Sequence, residues 1–388
     1  MKHATTRHST CSPIIAALLS TSIIFGLISC ESKNSGTVEP VPTPFETSSF
    51  DKLTEPLSEE LVYSRNVQLP RNAIIQCFDI VEDGSIYYLQ IAGDSQHQLN
   101  LVKGAPDEHQ PKEMMVFEYF GHGTNMALEE TPEGVYVWLG SHGNKGSNGS
   151  YSSNQSISRI KYVPGQKVQP GAGDVFCIKG TRNIHPAVNA GKDLLGIEYS
   201  KKVSGVNARV FKVYRLSEAM QLTPEDMELS SLTYGGENGT TQKTEAPVIK
   251  ARNLEKIKPI YEVTLSDGQG KKDQFGGIVG AYDFQGFDID ENFIYYYEGI
   301  SNSNKFETPS VAFVSVVDKN GLLSFREEVK AISDNELLKS LSFADRGYME
   351  AEGIKVKGDD LYIGFAARLM ISASGDARLA NIFKYSSN

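Results

Sequence analysis

Five hydrogen-bonding residues, Gln76, Asn125, His185, Gln285 and Glu352, each stand at the head of a short strand-like run in a chain of 388 residues. Amide, imidazole and carboxyl groups drawn from separate segments to one place could hold a small polar ligand, an ion or ordered water, because each offers directed donors or acceptors. Arg71, Arg182 and Arg346 lie a few residues ahead of three of these runs. A planar guanidinium suits carboxylates, phosphates and sugar hydroxyls. His185, followed by Pro186, and Glu350 are the candidates for giving and taking protons. Asp283, Glu350 and Glu352 could together ligate calcium, a hard cation that prefers oxygen. His122 and Tyr282 flank the same positions.

Familiar catalytic signatures are missing. The chain has no HExxH, no CxxC, no Walker Gly-Lys-Ser/Thr and no G-x-S-x-G. Asp288, Asp290 and Asn292 imitate the start of a calcium loop, but Phe293 stands where that loop needs glycine and Gly299 where it needs a bidentate carboxylate. A turn between strands is the better reading. No catalytic residue is therefore assigned beyond the candidates His185 and Glu350, and no cofactor is expected except calcium.

The elements that must position these residues form a repeat. Gln76-Cys-Phe-Asp-Ile is followed by Ile86-Tyr-Tyr, Asn125-Met-Ala-Leu-Glu by Val135-Tyr-Val, His185-Pro-Ala-Val by Leu194-Leu-Gly, Gln285-Gly-Phe-Asp-Ile by Ile294-Tyr-Tyr, and Glu352-Gly-Ile-Lys-Val by Leu361-Tyr-Ile. Each unit reads as a strand, a turn and a returning strand, with further strand-like runs behind it. About four strands per unit is the content of a propeller blade. The expected fold is an all-β five-bladed propeller, with a sandwich of similar hairpins as the alternative. The starts are 49, 60, 100 and 67 residues apart. The long third interval holds either one blade with an insertion around residues 216–250, helix-compatible at Pro224-Glu-Asp-Met, or a sixth blade. The run Leu61 to Leu69 could supply the missing outer strand of the last blade and close the ring.

Residues 1–29 read as a lipoprotein signal peptide: Lys2 and Arg7 lead, an apolar stretch runs from Pro13 to Ile28, and Leu27-Ile28-Ser29-Cys30 resembles a bacterial lipobox. Cys30 would then carry lipid. Residues 30–56 read as a flexible tether and 57–388 as the propeller. This places the protein in the bacterial cell envelope, lipid-anchored outside the cytoplasm, in the periplasm or at the surface. The remaining cysteines, Cys77 and Cys177, sit in apolar runs and read as buried. Outside the leader the charge is −12, so nucleic acid is not an expected partner, and the membrane is contacted only through the lipid. The Gly-, Ser- and Asn-rich stretch Ser141 to Ser156 reads as a mobile loop.

Tyr282-Asp-Phe-Gln-Gly-Phe-Asp-Ile-Asp with Ile294-Tyr-Tyr-Tyr, and Glu350-Ala-Glu-Gly-Ile-Lys-Val with Leu361-Tyr-Ile-Gly-Phe, resemble the QGF and EGI strands of helveticin-J-type class III bacteriocins. Phage receptor-binding propellers are similar. In the first three repeats Cys77, Met126 and Pro186 stand where those strands have glycine. The resemblance implies a propeller that binds cell-surface polymers. The leading expectation is a protein that binds a glycan or another envelope polymer at the channel mouth, without catalysis. EGI-type strands also recur in phytase-like and lactonase-like propellers, so the alternative is a hydrolase or lyase, metal-dependent or not. A scaffold for other envelope proteins is the third reading.

Overall fold

The computed structural model describes residues 52–92, 97–145, 151–235, 241–244, 246–266, 282–300, 310–343, 349–372 and 375–386. The expected signal peptide, Cys30 and Arg346 lie outside the described residues, as does most of the expected tether. Five main sheets, one per predicted repeat, are arranged as the blades of a β-propeller. Their inner strands are Ile75–Ile80, Met126–Thr131, Arg182–Asn189, Asp283–Ile289 and Glu350–Lys357. Each pairs antiparallel with the strand that follows it in sequence.

The ring is closed by cores that lie between blades rather than within them. Leu89, Leu101, Met126 and Leu139 join the first blade to the second, and Trp138, Ile157, Ile184 and Leu195 join the second to the third. Phe211, Val213, Phe287 and Tyr296 join the third to the fourth, and Tyr295, Tyr297, Ile363 and Phe383 join the fourth to the fifth. Ile75, Phe78, Ala366 and Ile382 then bring the fifth back to the first. Both faces of every blade are thereby covered, which explains why strands such as Ile75–Ile80 are buried at every residue instead of alternating.

The N-terminal strand Val62–Gln68 pairs antiparallel with Gly375–Ser386, the third strand of the last blade. Closure is therefore made by the run anticipated for it. The packed body starts earlier than residue 57, however: Leu53, inside the expected tether, is fully buried with Leu57 and Leu61 against the fourth and fifth blades. Lys52 Nζ also donates to the Ser386 carbonyl at 3.1 Å.

Among the described residues the long third interval holds no sixth blade. The insertion opens with a helix, Leu216–Gln221, and its strands Glu225–Glu228 and Val248–Asn253 extend the second blade, where Phe176 and Cys177 pair in parallel with Arg252 and Asn253. The Pro224-Glu-Asp-Met segment, read as helix-compatible, is thus in a strand, because pairing with Ala251 to Val248 satisfies its backbone. Tyr261–Ser266 then returns to complete the third blade. Cys77 and Cys177 are both buried free thiols. Among the described residues no helix is long and apolar enough to cross a membrane.

Candidate functional site at the channel mouth

A channel runs along the inner strands and widens at each end. The widening at the strand starts has a volume of about 520 Å³. Gln76 enters it from the first blade, Asp283, Phe284 and Gln285 from the fourth, and Glu350 and Glu352 from the fifth. His122 and Thr124, just ahead of the second inner strand, complete the wall with Asn72 and Arg378. The opposite end, of about 580 Å³, is also polar: Glu82, Glu130, Asn189, Lys357, Asp360 and Lys384 line it beside strand ends such as Ile80 and Val356. Strand connections differ between the ends: only two residues separate Thr131 from Gly134 and Lys357 from Asp360 at the second end, whereas ten separate Ile300 from Val311 at the first. Long connections on one face of a rigid scaffold are where binding residues gather.

Between the two ends the channel is bridged. Asn125 Nδ2 donates to the Pro186 carbonyl at 2.8 Å and to the Phe287 carbonyl at 3.1 Å, and its Oδ1 accepts from Phe287 N–H at 3.3 Å. One side chain thus ties the second blade to the third and fourth. This is why the fourth repeat has glycine at 286: its φ is +133°, and a Cβ there would meet Asn125 Oδ1 at 2.9 Å. Gly353, at φ +93°, is also required by close approach: a Cβ there would lie 3.1 Å from Cys77 Cα. In the first repeat Cys77 needs no such clearance, and its thiol donates to the Gly123 carbonyl at 3.0 Å.

Of the five repeat-heading residues, Gln76, Gln285 and Glu352 reach the mouth, and two do not. Asn125 is 1% exposed and spends its amide on the bridge. His185 lies behind the wall, its Nδ1 2.7 Å from Glu198 Oε2, while Arg209 holds Glu198 Oε1 at 2.8 Å. Burial would raise the Glu198 carboxyl, but Arg209 and His185 outweigh it and hold the group below the usual range. The His185 ring is 5.5 Å from that of Phe284, and Arg209 stacks over Phe284 at 4.2 Å. The three groups support Phe284 rather than line the mouth themselves. Arg71 and Arg182 are exposed and do not line the mouth, and the Arg71 N–H is bound to Gln90 Oε1 at 3.1 Å. Asp283, Glu350 and Glu352 share the mouth, but among the described residues no three such groups converge as metal ligands.

Glu352 is the exceptional group. It is 3% exposed, lines the mouth, and has no hydrogen-bond partner among the described residues. Burial, with Glu350 beside it, holds its carboxyl well above the usual range. His122 is pushed the other way, below the usual imidazole range, by burial and by His185, so it is neutral near pH 7. Arg378 is a mouth residue that the repeat pattern does not signal, because it sits on the third strand of the last blade and is fixed there by the bond from its N–H to Asn72 Oδ1 at 3.0 Å.

A second polar cluster has no counterpart in the sequence reading. His142 Nδ1 lies 2.6 Å from Ser156 Oγ, which is 2.7 Å from Ser141 Oγ, and Ser158 joins at 2.8 Å. The ends of the supposed mobile loop are therefore buried and bonded, and Asn144–Lys145 pairs with Tyr151–Ser152. All three serines are 0% exposed, which keeps this Ser-His contact from any substrate.

No protein-family model matches the chain, and a search of curated protein sequences gives no match. Among solved structures, Drosophila Semaphorin 2a is similar over 78% of this chain and 51% of its own, with 11% identity and a TM-score of 0.31. The chain thus spans about half the length of that semaphorin. A provisionally assigned glycoside hydrolase from Parabacteroides distasonis ATCC 8503 is similar over 86% and 96%, with 9% identity and a TM-score of 0.26. Drosophila Plexin A in complex with Semaphorin 1b is similar over 80% and 73%, with 7% identity and a TM-score of 0.27. The class of the molecule rests on its own strand pairing, which defines a five-bladed β-propeller whose channel widens into a polar cavity at each end.

Proposed function

We propose that this chain is a lipid-anchored envelope protein that binds a glycan at the polar mouth of its propeller. The observation that carries the reading is the convergence of Gln76, Gln285 and Glu352, from three blades, on one cavity of about 520 Å³. Amides and carboxyls each pair with sugar hydroxyls, and Phe284 offers an apolar surface beside them. Among the described residues lining the mouth, Asp283, Glu350 and Glu352 stand against one basic side chain, Arg378, so the charge favours a neutral glycan over a polyanion. Replacing both Gln285 and Glu352 by Ala is expected to abolish binding on an array of neutral glycans while the melting curve keeps its cooperativity. Unchanged binding would move the site to the blade faces. Anchoring rests on Leu27-Ile28-Ser29-Cys30 behind an apolar segment. Cys30→Ala is expected to shift the protein from the membrane to the soluble fraction, and retention through a high-salt wash would count against lipidation.

A further inference from the structure

We propose that the same mouth hydrolyses glycosidic bonds in the glycan it holds, Glu352 giving a proton to the departing oxygen and Glu350 or Asp283 taking one from the attacking water. The inference rests on the glycan reading and departs from the expectation of binding without turnover.

The argument starts from the solvation of Glu352. A carboxyl buried without a bonded donor, and with the Glu350 carboxyl beside it, is unfavourable as an anion, so it persists as the neutral acid and keeps an O–H to give. Glu352 lines the mouth, where that proton can meet a bound ligand. Glu350, two residues back on the same strand, and Asp283, on the neighbouring blade, share the cavity but are less buried. Carboxyl groups in one cleft whose environments differ in this way divide naturally into an acid and a base. Glycoside hydrolysis needs that division, because the leaving alkoxide is a poor leaving group until protonated and water a poor nucleophile until deprotonated. Gln76 and Gln285 would hold the flanking hydroxyls, and neutral His122 adds no positive charge that would ionise Glu352.

The step balances without any further reactant. The bond from the anomeric carbon to the bridging oxygen breaks as the water oxygen bonds to that carbon. The Glu352 proton goes to the bridging oxygen, and a water proton goes to the carboxylate of Glu350 or Asp283. Exchange with solvent returns both groups to their starting states.

The test uses the full chain with neutral tetrasaccharides of glucose and of N-acetylglucosamine, α- and β-linked. Calorimetry reads binding, and chromatography reads released reducing ends. At least one tetrasaccharide is expected to be bound and cleaved. Glu352→Gln is expected to bind it within about threefold of the parent while turnover falls by about 10²- to 10⁴-fold, the range for loss of a general acid. Glu350→Gln or Asp283→Asn should show a comparable loss, which identifies the base. Binding without product, undiminished turnover in Glu352→Gln, or full turnover in both other variants would each overturn the proposal and leave the binding reading standing. Absence of binding to every tetrasaccharide would overturn both.

Discussion

Two buried side chains, Glu352 and His142, make the stability of this protein depend on pH in opposite directions. Glu352 has a folded-state pKa above its ordinary 4.5, so the folded state holds the proton longer than the unfolded chain. Its contribution is fully present below about pH 4.5 and is lost as the pH rises toward the folded value. Glu352→Gln carries no such charge and should unfold at a higher temperature than the parent at pH 8, the difference vanishing near pH 4. His142 is pushed by burial from 6.5 down to about 4. Here the unfolded chain takes the proton first, so stability is lost as the pH falls from 6.5 to about 4, by roughly 3 kcal/mol in all. His142 has φ +53°, a region asparagine tolerates, so His142→Asn should keep the turn and flatten that acid limb in urea unfolding followed between pH 7 and pH 4.

At the scale of elements, the strand Val62–Gln68 covers the otherwise open edge of Gly375–Ser386. Deleting residues 57–69 should expose that edge and produce aggregates detectable by light scattering, whereas deleting residues 31–50 should leave the melting temperature unchanged. Equal melting temperatures for the two truncations would argue against closure by this strand. The repeat and its closing run were legible in the sequence because each inner strand has a polar residue at or near its head and is followed by a turn at nearly constant spacing. The insertion around residues 216–250 was legible as such, but its destination was not, since its strands find partners on a different blade, and local propensity says nothing about such distant pairing. The site was legible in part for a related reason. Gln76, Gln285 and Glu352 each fall in an irregularity of the strand pairing that leaves them without a cross-strand partner, whereas His185 is paired directly with Glu198 and bonded to it. Asn125 keeps its place at the strand head and reaches across the channel.

Taken as a whole, the ring separates its supports from its working end. Asn125 braces three blades at mid-channel, while the mouth residues lie above it. Asn125→Ala leaves the Pro186 and Phe287 carbonyls and the Phe287 N–H without their partner, a cost of about 3 kcal/mol. Chemical unfolding should register that loss, and the glycan affinity of the folded fraction should stay within about threefold of the parent. A larger loss of affinity would return Asn125 to the binding site. The other end of the channel is held by charge instead: Asp79 receives Lys357 Nζ at 2.7 Å and the Leu128 N–H at 2.7 Å, and Asp288 accepts from Val356 N–H at 2.8 Å.

The closing strand also sets a schedule for the molecule's own making. Asn66 N–H bonds to Asn381 Oδ1 across 315 residues, so this segment has no partner until that much more of the chain has been synthesised. At ribosomal speeds of about 5 to 20 residues per second, that wait is roughly 15 to 60 s. During it the first four blades can form in order, but the circle cannot be completed. A nascent chain of this design therefore stays open until its last blade has emerged.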